Sequence, residues 1–430
     1  MNIFILFLLL LLATTVVYHL YGKDLLTPSI WFLLGYDMSI GIALTKYVQW
    51  GDISTKTVIV IIIGVLSFLF GGLSSNNIAS KKLPQTNVFG NVRLKYNVCM
   101  LTFLLIFMSL TAYMNYKFVI TLADCGGFIS GESNILTYAR AEMESGEKMP
   151  YYIYIPIIFT QVIAYLISHN IAYKIINKQL VGRIFLLELL CILVFCLICV
   201  LSTGRTMFMH YLLFLLADIC ILAKFTNNWS TKSNGQIIKY GIIVVFLILA
   251  FFWGIDLNFR ASRYGTERQL WDQISKYTSS SIYALNTYLQ LSVYTKEDKF
   301  ETLYNIASVL NKLGFDMKSD NIALPFTYFY NDTTNVYTAL RRYIHDFNYF
   351  GMILIQFFVG FFYQIVYKKI KDSNASLFTF IMYCTFIYAP VFNCIEERVL
   401  INVLSLRSAV AFCLTYIFIK LFTIKRVIHE

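Results

Sequence analysis

The chain has 430 residues, 58% of them hydrophobic and 14% charged, with a formal net charge of +11 and a mean hydropathy of +0.64. Those figures exclude a water-soluble globular domain and a disordered chain, and they point to an integral membrane protein. No repeat of fixed period and no low-complexity or Pro-rich linker divides it, so residues 1–430 read as a single integral membrane domain of all-α class.

A helix crossing a bilayer needs roughly 20 mostly apolar residues. Eleven such runs follow in chain order, at 2–21, 28–47, 57–75, 97–122, 151–173, 184–203, 207–224, 240–256, 348–367, 376–393 and 400–420. They are continuous rather than alternating, which argues against a transmembrane barrel. The first, NIFILFLLLLLATTVVYHLY, has no basic residue ahead of it, is too long for a signal-peptide core and lacks a small-residue cleavage site, so it reads as a retained helix.

Charge orients the runs. With eleven crossings, the segments 22–27, 76–96, 174–183, 224–239, 368–375 and the C-terminus share one side. Counting Lys420 at the end of the last run, that side carries seventeen Lys or Arg against three acids, Asp24, Asp372 and Glu430. By the positive-inside rule it is cytoplasmic, and the N-terminus is external. The opposite side is close to neutral, so the basicity of the chain is a topology signal and not a nucleic-acid-binding surface.

Two external segments are longer than turns. Residues 123–150 are acidic and polar, and 257–347 form the largest loop, where function is expected. The amphipathic stretches ISKYTSSSIYALNTYLQLSVY and FETLYNIASVLNKLGF predict short helices lying on or near the membrane face. The tyrosines and asparagines of the loop suit a sugar-binding surface, although tyrosine is also the ordinary residue of a membrane interface.

Of nine cysteines, Cys99, Cys191, Cys196, Cys199, Cys220, Cys384 and Cys413 fall inside the runs as small apolar fillers. CLIC at 196–199 has CxxC spacing but neither a second pair nor a nearby histidine, so it reads as helix packing and not as a metal site. The chain has no P-loop, GxGxxG, HExxH, EF-hand or DxD motif, which disfavours ATP-driven or nucleotide-sugar-dependent chemistry.

What remains is a set of external arginines: Arg205 in STGRT, Arg260 and Arg263 in NFRASRYG, and Arg341 and Arg342 in TALRRYIHDF. An arginine near a helix end can simply snorkel to the headgroups. Against a positive-inside bias, however, arginine is the residue least expected in a tight external turn, and its fork of donors binds phosphate bidentately. If 336–347 is helical, Arg341 or Arg342 shares a face with His345 or Asp346, a combination that can hold an anion and deprotonate a hydroxyl. Asp37, Glu188 and Asp218 lie inside the runs, where a charge is costly. They suit either a proton-coupled exporter or structural pairing with His169, His210 or Lys117.

STGRT between two central runs, RASRYG opening a large external loop, and NVYTALRRYIHDFNYFG leading into the next run resemble the bacterial oligosaccharide repeat-unit polymerases. These are the Wzy-type O-antigen or capsule polymerases, related to the lipopolysaccharide O-antigen ligases. The resemblance implies glycosyl transfer at the outer face of the inner membrane without metal or other cofactor. Donor and acceptor would both be oligosaccharides on undecaprenyl pyrophosphate, and a flippase and a chain-length regulator would be partners in the pathway. It implies Arg205, Arg260, Arg263, Arg341 and Arg342 as pyrophosphate ligands, Tyr264 as a sugar contact, and His345 or Asp346 as the base. HDFNYFG departs from the family pattern, carrying Asn348 where a glycine is usual.

Overall fold

The structure is a computed structural model that describes residues 1–75, 88–127, 135–147, 149–178, 182–202, 206–259, 270–291, 300–317 and 324–424. The first part of the chain forms helices α1 (Asn2–Leu20), α2 (Pro28–Thr45), α3 (Tyr47–Trp50) and α4 (Thr55–Ser75), then strand β1 (Arg93–Leu94). Helices α5 (Val98–Cys125), α6 (Ile135–Ser145), α7 (Tyr151–Ile176), α8 (Arg183–Leu201), α9 (Thr206–Thr226) and α10 (Asn234–Phe259) follow. The long segment after α10 holds α11 (Leu270–Gln290), α12 (Tyr304–Lys312) and the hairpin β2 (Thr327–Phe329) and β3 (Asp332–Thr334). The chain continues with α13 (Ala339–Lys371), α14 (Leu377–Phe386), α15 (Tyr388–Val391), α16 (Leu406–Phe422) and β4 (Thr423–Ile424).

Eight helical segments among the described residues are long and apolar enough to cross a membrane: Asn2–Leu20, Thr55–Ser75, Val98–Cys125, Tyr151–Ile176, Arg183–Leu201, Thr206–Thr226, Ala339–Lys371 and Leu377–Cys394. Their outward residues are large and apolar, with Leu12, Phe103, Leu193 and Phe362 each at least 60% exposed. A helix apolar on its exposed face needs lipid around it, and all its backbone groups are satisfied within the helix. The protein is an all-α membrane protein.

Three of the eleven runs fall outside those eight. The run 28–47 forms α2, which starts at Pro28 with Thr27 as its cap. Buried over most of its length, α2 presents Ser29, Tyr36, Asp37 and Ser39 to protein rather than to lipid. The run 240–256 lies in α10, and the run 400–420 is broken into a π-helical turn, Val399–Val403, and the 17-residue α16.

By its internal contacts the chain divides into two compact units. The first comprises 1–81, 269–372 and 386–409. Within it α4 and α13 approach to backbone contact: a Cβ on Gly71 would overlap the Phe357 carbonyl, and one on Gly360 would overlap the Phe68 carbonyl. Small residues permit this spacing where no hydrophobic effect drives helices together. Phe32 stacks on Phe68 at 3.9 Å. The first amphipathic stretch forms the helix α11, whose Ile282, Tyr283, Ala284 and Leu285 are fully buried. Its serines help to seat it, because Ser279 donates to the Ser39 carbonyl and Ser281 to the Cys394 carbonyl, each at 2.7 Å. Small hydroxyls let a polar face pack inside while satisfying neighbouring carbonyls. The hairpin joins the same core through Phe329, which sits 5.5 Å from both Trp50 and Tyr283.

The second unit comprises 82–268, 373–385 and 410–430. Val119, Leu122 and Ala123 of α5 hold Leu136 and Ala139 of α6, while Tyr165 of α7 stacks on Phe214 of α9 at 4.3 Å. β1 pairs antiparallel with β4, Arg93 opposite Ile424. Two buried acids of this unit have partners. Asp218 meets His169 Nδ1 at 2.8 Å, as the sequence offers. Glu188, fully buried, is held by Lys174 at 2.6 and 2.7 Å, by Asn170 at 2.7 Å and by the Tyr96 hydroxyl at 2.5 Å. The sequence assigns Lys174 to a cytoplasmic turn, but α7 continues through Ile176 and carries it inward. In the first unit Asp37 accepts from the Thr14 hydroxyl at 2.6 Å. All nine cysteines are free thiols.

Candidate active site at the head of helix α13

The first turns of α13 place Arg341, Arg342, His345 and Asp346 within six residues. Thr338 caps α13, its hydroxyl accepting from the Arg341 amide at 3.3 Å. The first stretch of the helix ends at Asn348, whose φ of 59° and ψ of −174° break the helical path before it resumes. That conformation belongs almost entirely to glycine, and here an asparagine adopts it. Arg341 and His345, four positions apart, rise on one side of the helix.

They converge on Glu301, in the segment just ahead of α12. One Glu301 carboxylate oxygen forms an ion pair with Arg341 Nη1; the other lies 3.6 Å from His345 Nδ1. His345 Nδ1 is 2.9 Å from Asp346 Oδ1. Asp346 accepts in addition from the Glu301 amide at 3.1 Å, the Thr302 amide at 2.7 Å and the Thr302 hydroxyl. The Arg341 guanidinium lies between the rings of Tyr288 and Tyr337, at 4.6 and 4.7 Å from their centroids. Burial raises the Tyr337 phenol above its ordinary value against the pull of the neighbouring Arg341 cation, so its ring stays neutral and offers its π-face.

No protein-family model, curated protein or solved structure matches this chain.

The arrangement separates roles that the sequence leaves open. The Asp346 side chain is buried and engaged by donors from three residues, so its carboxylate orients and anchors instead of meeting a substrate. A carboxylate can only accept, so Nδ1 of His345 carries the proton and Nε2 holds the basic lone pair. The His345 side chain keeps 14% of its exposure, which makes it the group of this cluster fitted to exchange a proton. Arg341 and Arg342 are 7% and 2% exposed, too buried for simple headgroup snorkels. In this state the charge of Arg341 is matched by Glu301. Nearby, the fully buried Glu397 accepts from the Tyr343 hydroxyl at 2.8 Å and from the amides of Val399, Leu400 and Ile401 at 2.7 to 2.9 Å. Burial holds its carboxyl above the ordinary carboxylate range despite those donors.

Of the residues the sequence singles out, the structure brings together Arg341, Arg342, His345 and Asp346. Arg205, Arg260, Arg263 and Tyr264 lie outside the described residues. Glu301, Thr302, Tyr288 and Tyr337 emerge only from the fold. No motif marks Glu301, which stands 40 positions from Arg341, and a tyrosine beside a membrane is too common to distinguish.

Proposed function

We propose that this chain is a glycosyltransferase of a bacterial inner membrane that joins oligosaccharide repeat units carried on undecaprenyl pyrophosphate. The product is an O-antigen, capsule or exopolysaccharide chain built at the external face. The observation that carries the reading is the joining of an oriented imidazole, His345 on Asp346, to a buried guanidinium, Arg341, at the head of a membrane-crossing helix. Eleven crossings, with the N-terminus outside and the C-terminus in the cytoplasm, put that helix head on the external side, in keeping with the basic residues of the turns opposite.

The chemistry asks two things of the protein. The acceptor hydroxyl gives its proton to His345 Nε2 while its oxygen attacks the anomeric carbon. The bond from that carbon to the pyrophosphate oxygen breaks, and its electron pair leaves on the phosphate. Arginines stabilise the charge developing there, and they do so best when they are already fixed in place. A single displacement of this kind inverts the anomeric centre. Arg341, paired with Glu301, serves as an inner cation, while Arg205, Arg260 and Arg263 meet the lipid phosphates.

An exporter of lipid-linked oligosaccharide is the rival of another class. Its support in the sequence was the set of intramembrane acids, and the partners of Asp218, Glu188 and Asp37 give each a structural occupation. Deleting the gene and sizing the cell's glycans on a gel separates the readings. Surface glycan limited to one repeat unit supports the polymerase. Long chains stranded on the carrier mean a ligase, and single repeats trapped inside mean a transporter. Reporter tags at the C-terminus and within 257–347 test the orientation.

A further inference from the structure

Glu301 touches everything in the cluster at once. Its carboxylate spans from Arg341 to within 3.6 Å of His345 Nδ1, and its own amide donates to both oxygens of Asp346 at 3.1 Å. Its side chain is 3% exposed. A carboxylate that merely neutralised Arg341 would have no reason to turn its second oxygen toward the imidazole. The groups facing His345 are thus Asp346 on its own helix and Glu301 from the segment before α12, with the cation of Arg341 one turn back.

We propose that Glu301 is a positioning residue of the His345 site. With Asp346 it forms a pair of carboxylates on the Nδ1 side, which holds the ring with Nε2 outward and stabilises the imidazolium formed when Nε2 takes a proton. Its other oxygen fixes the Arg341 guanidinium between two tyrosine rings, so base and cation are set by one side chain. The assignment of Nε2 as proton acceptor rests on the glycosyl-transfer reading; the electrostatic coupling of Glu301 to His345 does not.

The test uses full-length protein, ¹⁵N-labelled at histidine, in lipid nanodiscs. With five histidines in the chain, His345 is assigned by its loss in H345Q, and the ¹⁵N shifts of its two ring nitrogens, which report which one carries the proton, are read in wild type, E301Q and E301D. E301Q keeps the shape of the side chain and the amide that Asp346 accepts from, while removing the charge. The expected result is a single Nδ1–H signature in wild type, lost toward averaged shifts of the two nitrogens in E301Q and largely restored in E301D. A signature unchanged in E301Q, or lost equally in E301D, overturns the proposal and leaves Glu301 as a brace for Arg341 alone. The glycan gel is run on the same variants. A changed signature with full-length glycan in E301Q upholds the coupling and sinks the catalytic reading, so the two failures are told apart. Should E301Q fail to accumulate, the double variant R341M/E301Q, which removes both charges of the buried pair, is compared with R341M, and a signature the same in both overturns the proposal.

Discussion

Arg341 and Glu301 form an ion pair inside the protein, with side chains 9% and 3% exposed, although 40 residues separate them in the chain. The pair ties the segment before α12 to the head of a helix long and apolar enough to cross a membrane. Removing one partner of a buried pair leaves the other charged and unmatched, at a cost of about 3–5 kcal/mol. Arg341→Ala is expected to lower the thermal midpoint of the purified protein sharply. Arg341→Lys should recover part of the stability and little of the activity, because an ammonium lacks the planar face that packs between Tyr288 and Tyr337. Thermal unfolding in detergent, read beside glycan length in cells, checks both.

His345→Gln is expected to cut chain elongation by about 10²-fold or more, the usual worth of a general base, while leaving membrane abundance near that of wild type. Asp346→Asn should reduce both. It retains the shape but weakens the hold on His345 and on the amides of Glu301 and Thr302. Immunoblots of the membrane fraction alongside glycan gels separate the two outcomes, and full activity in His345→Gln would remove this residue from the mechanism.

Asn348 bears a backbone conformation that costs a side-chain-bearing residue about 1–3 kcal/mol. Asn348→Gly is expected to raise stability or leave it unchanged, and Asn348→Val to lower it and to misplace His345. The measurement is the thermal midpoint of each variant. A Gly variant that is markedly less stable would show that the asparagine side chain matters more than its backbone.

Glu397 gives a pH dependence whose sign follows from its raised carboxyl. A buried acid that binds its proton more tightly when folded stabilises the fold below the ordinary value of 4.5. That contribution is lost as pH rises from there through the higher folded value. Glu397→Gln should flatten the dependence in this window, and Glu397→Ala should also loosen the π-helical turn whose amides the carboxylate caps. Unfolding midpoints from pH 4 upward, compared among the three proteins, test the sign.

Gly71 and Gly360 let α4 and α13 meet at their backbones. Either one changed to Leu should abolish accumulation of folded protein, since no side chain fits against a carbonyl. Gly235→Ala, where an added Cβ meets nothing within 4 Å, is the control expected to behave as wild type. Normal accumulation of Gly360→Leu would mean that the two helices can separate without loss of the fold.

The apolar runs, their lengths and the surplus of basic residues in alternate turns are properties of local composition, and lipid acts on them segment by segment. The all-α membrane class was therefore readable along the chain. So was the convergence of Arg341 with His345, because a spacing of four residues on a helix sets it. What lies between segments was not readable. The burial of α11 depends on serine hydroxyls meeting carbonyls of residues as far away as Ser39 and Cys394. The reach of Lys174 to Glu188 depends on where α7 ends. Above all, Glu301 has no local signature, and its meaning comes from the three residues it touches. Hydropathy determined that many segments are apolar enough to enter a membrane. Only the packing of distant segments decided which charges neutralise one another, and so which histidine nitrogen is left to take a proton.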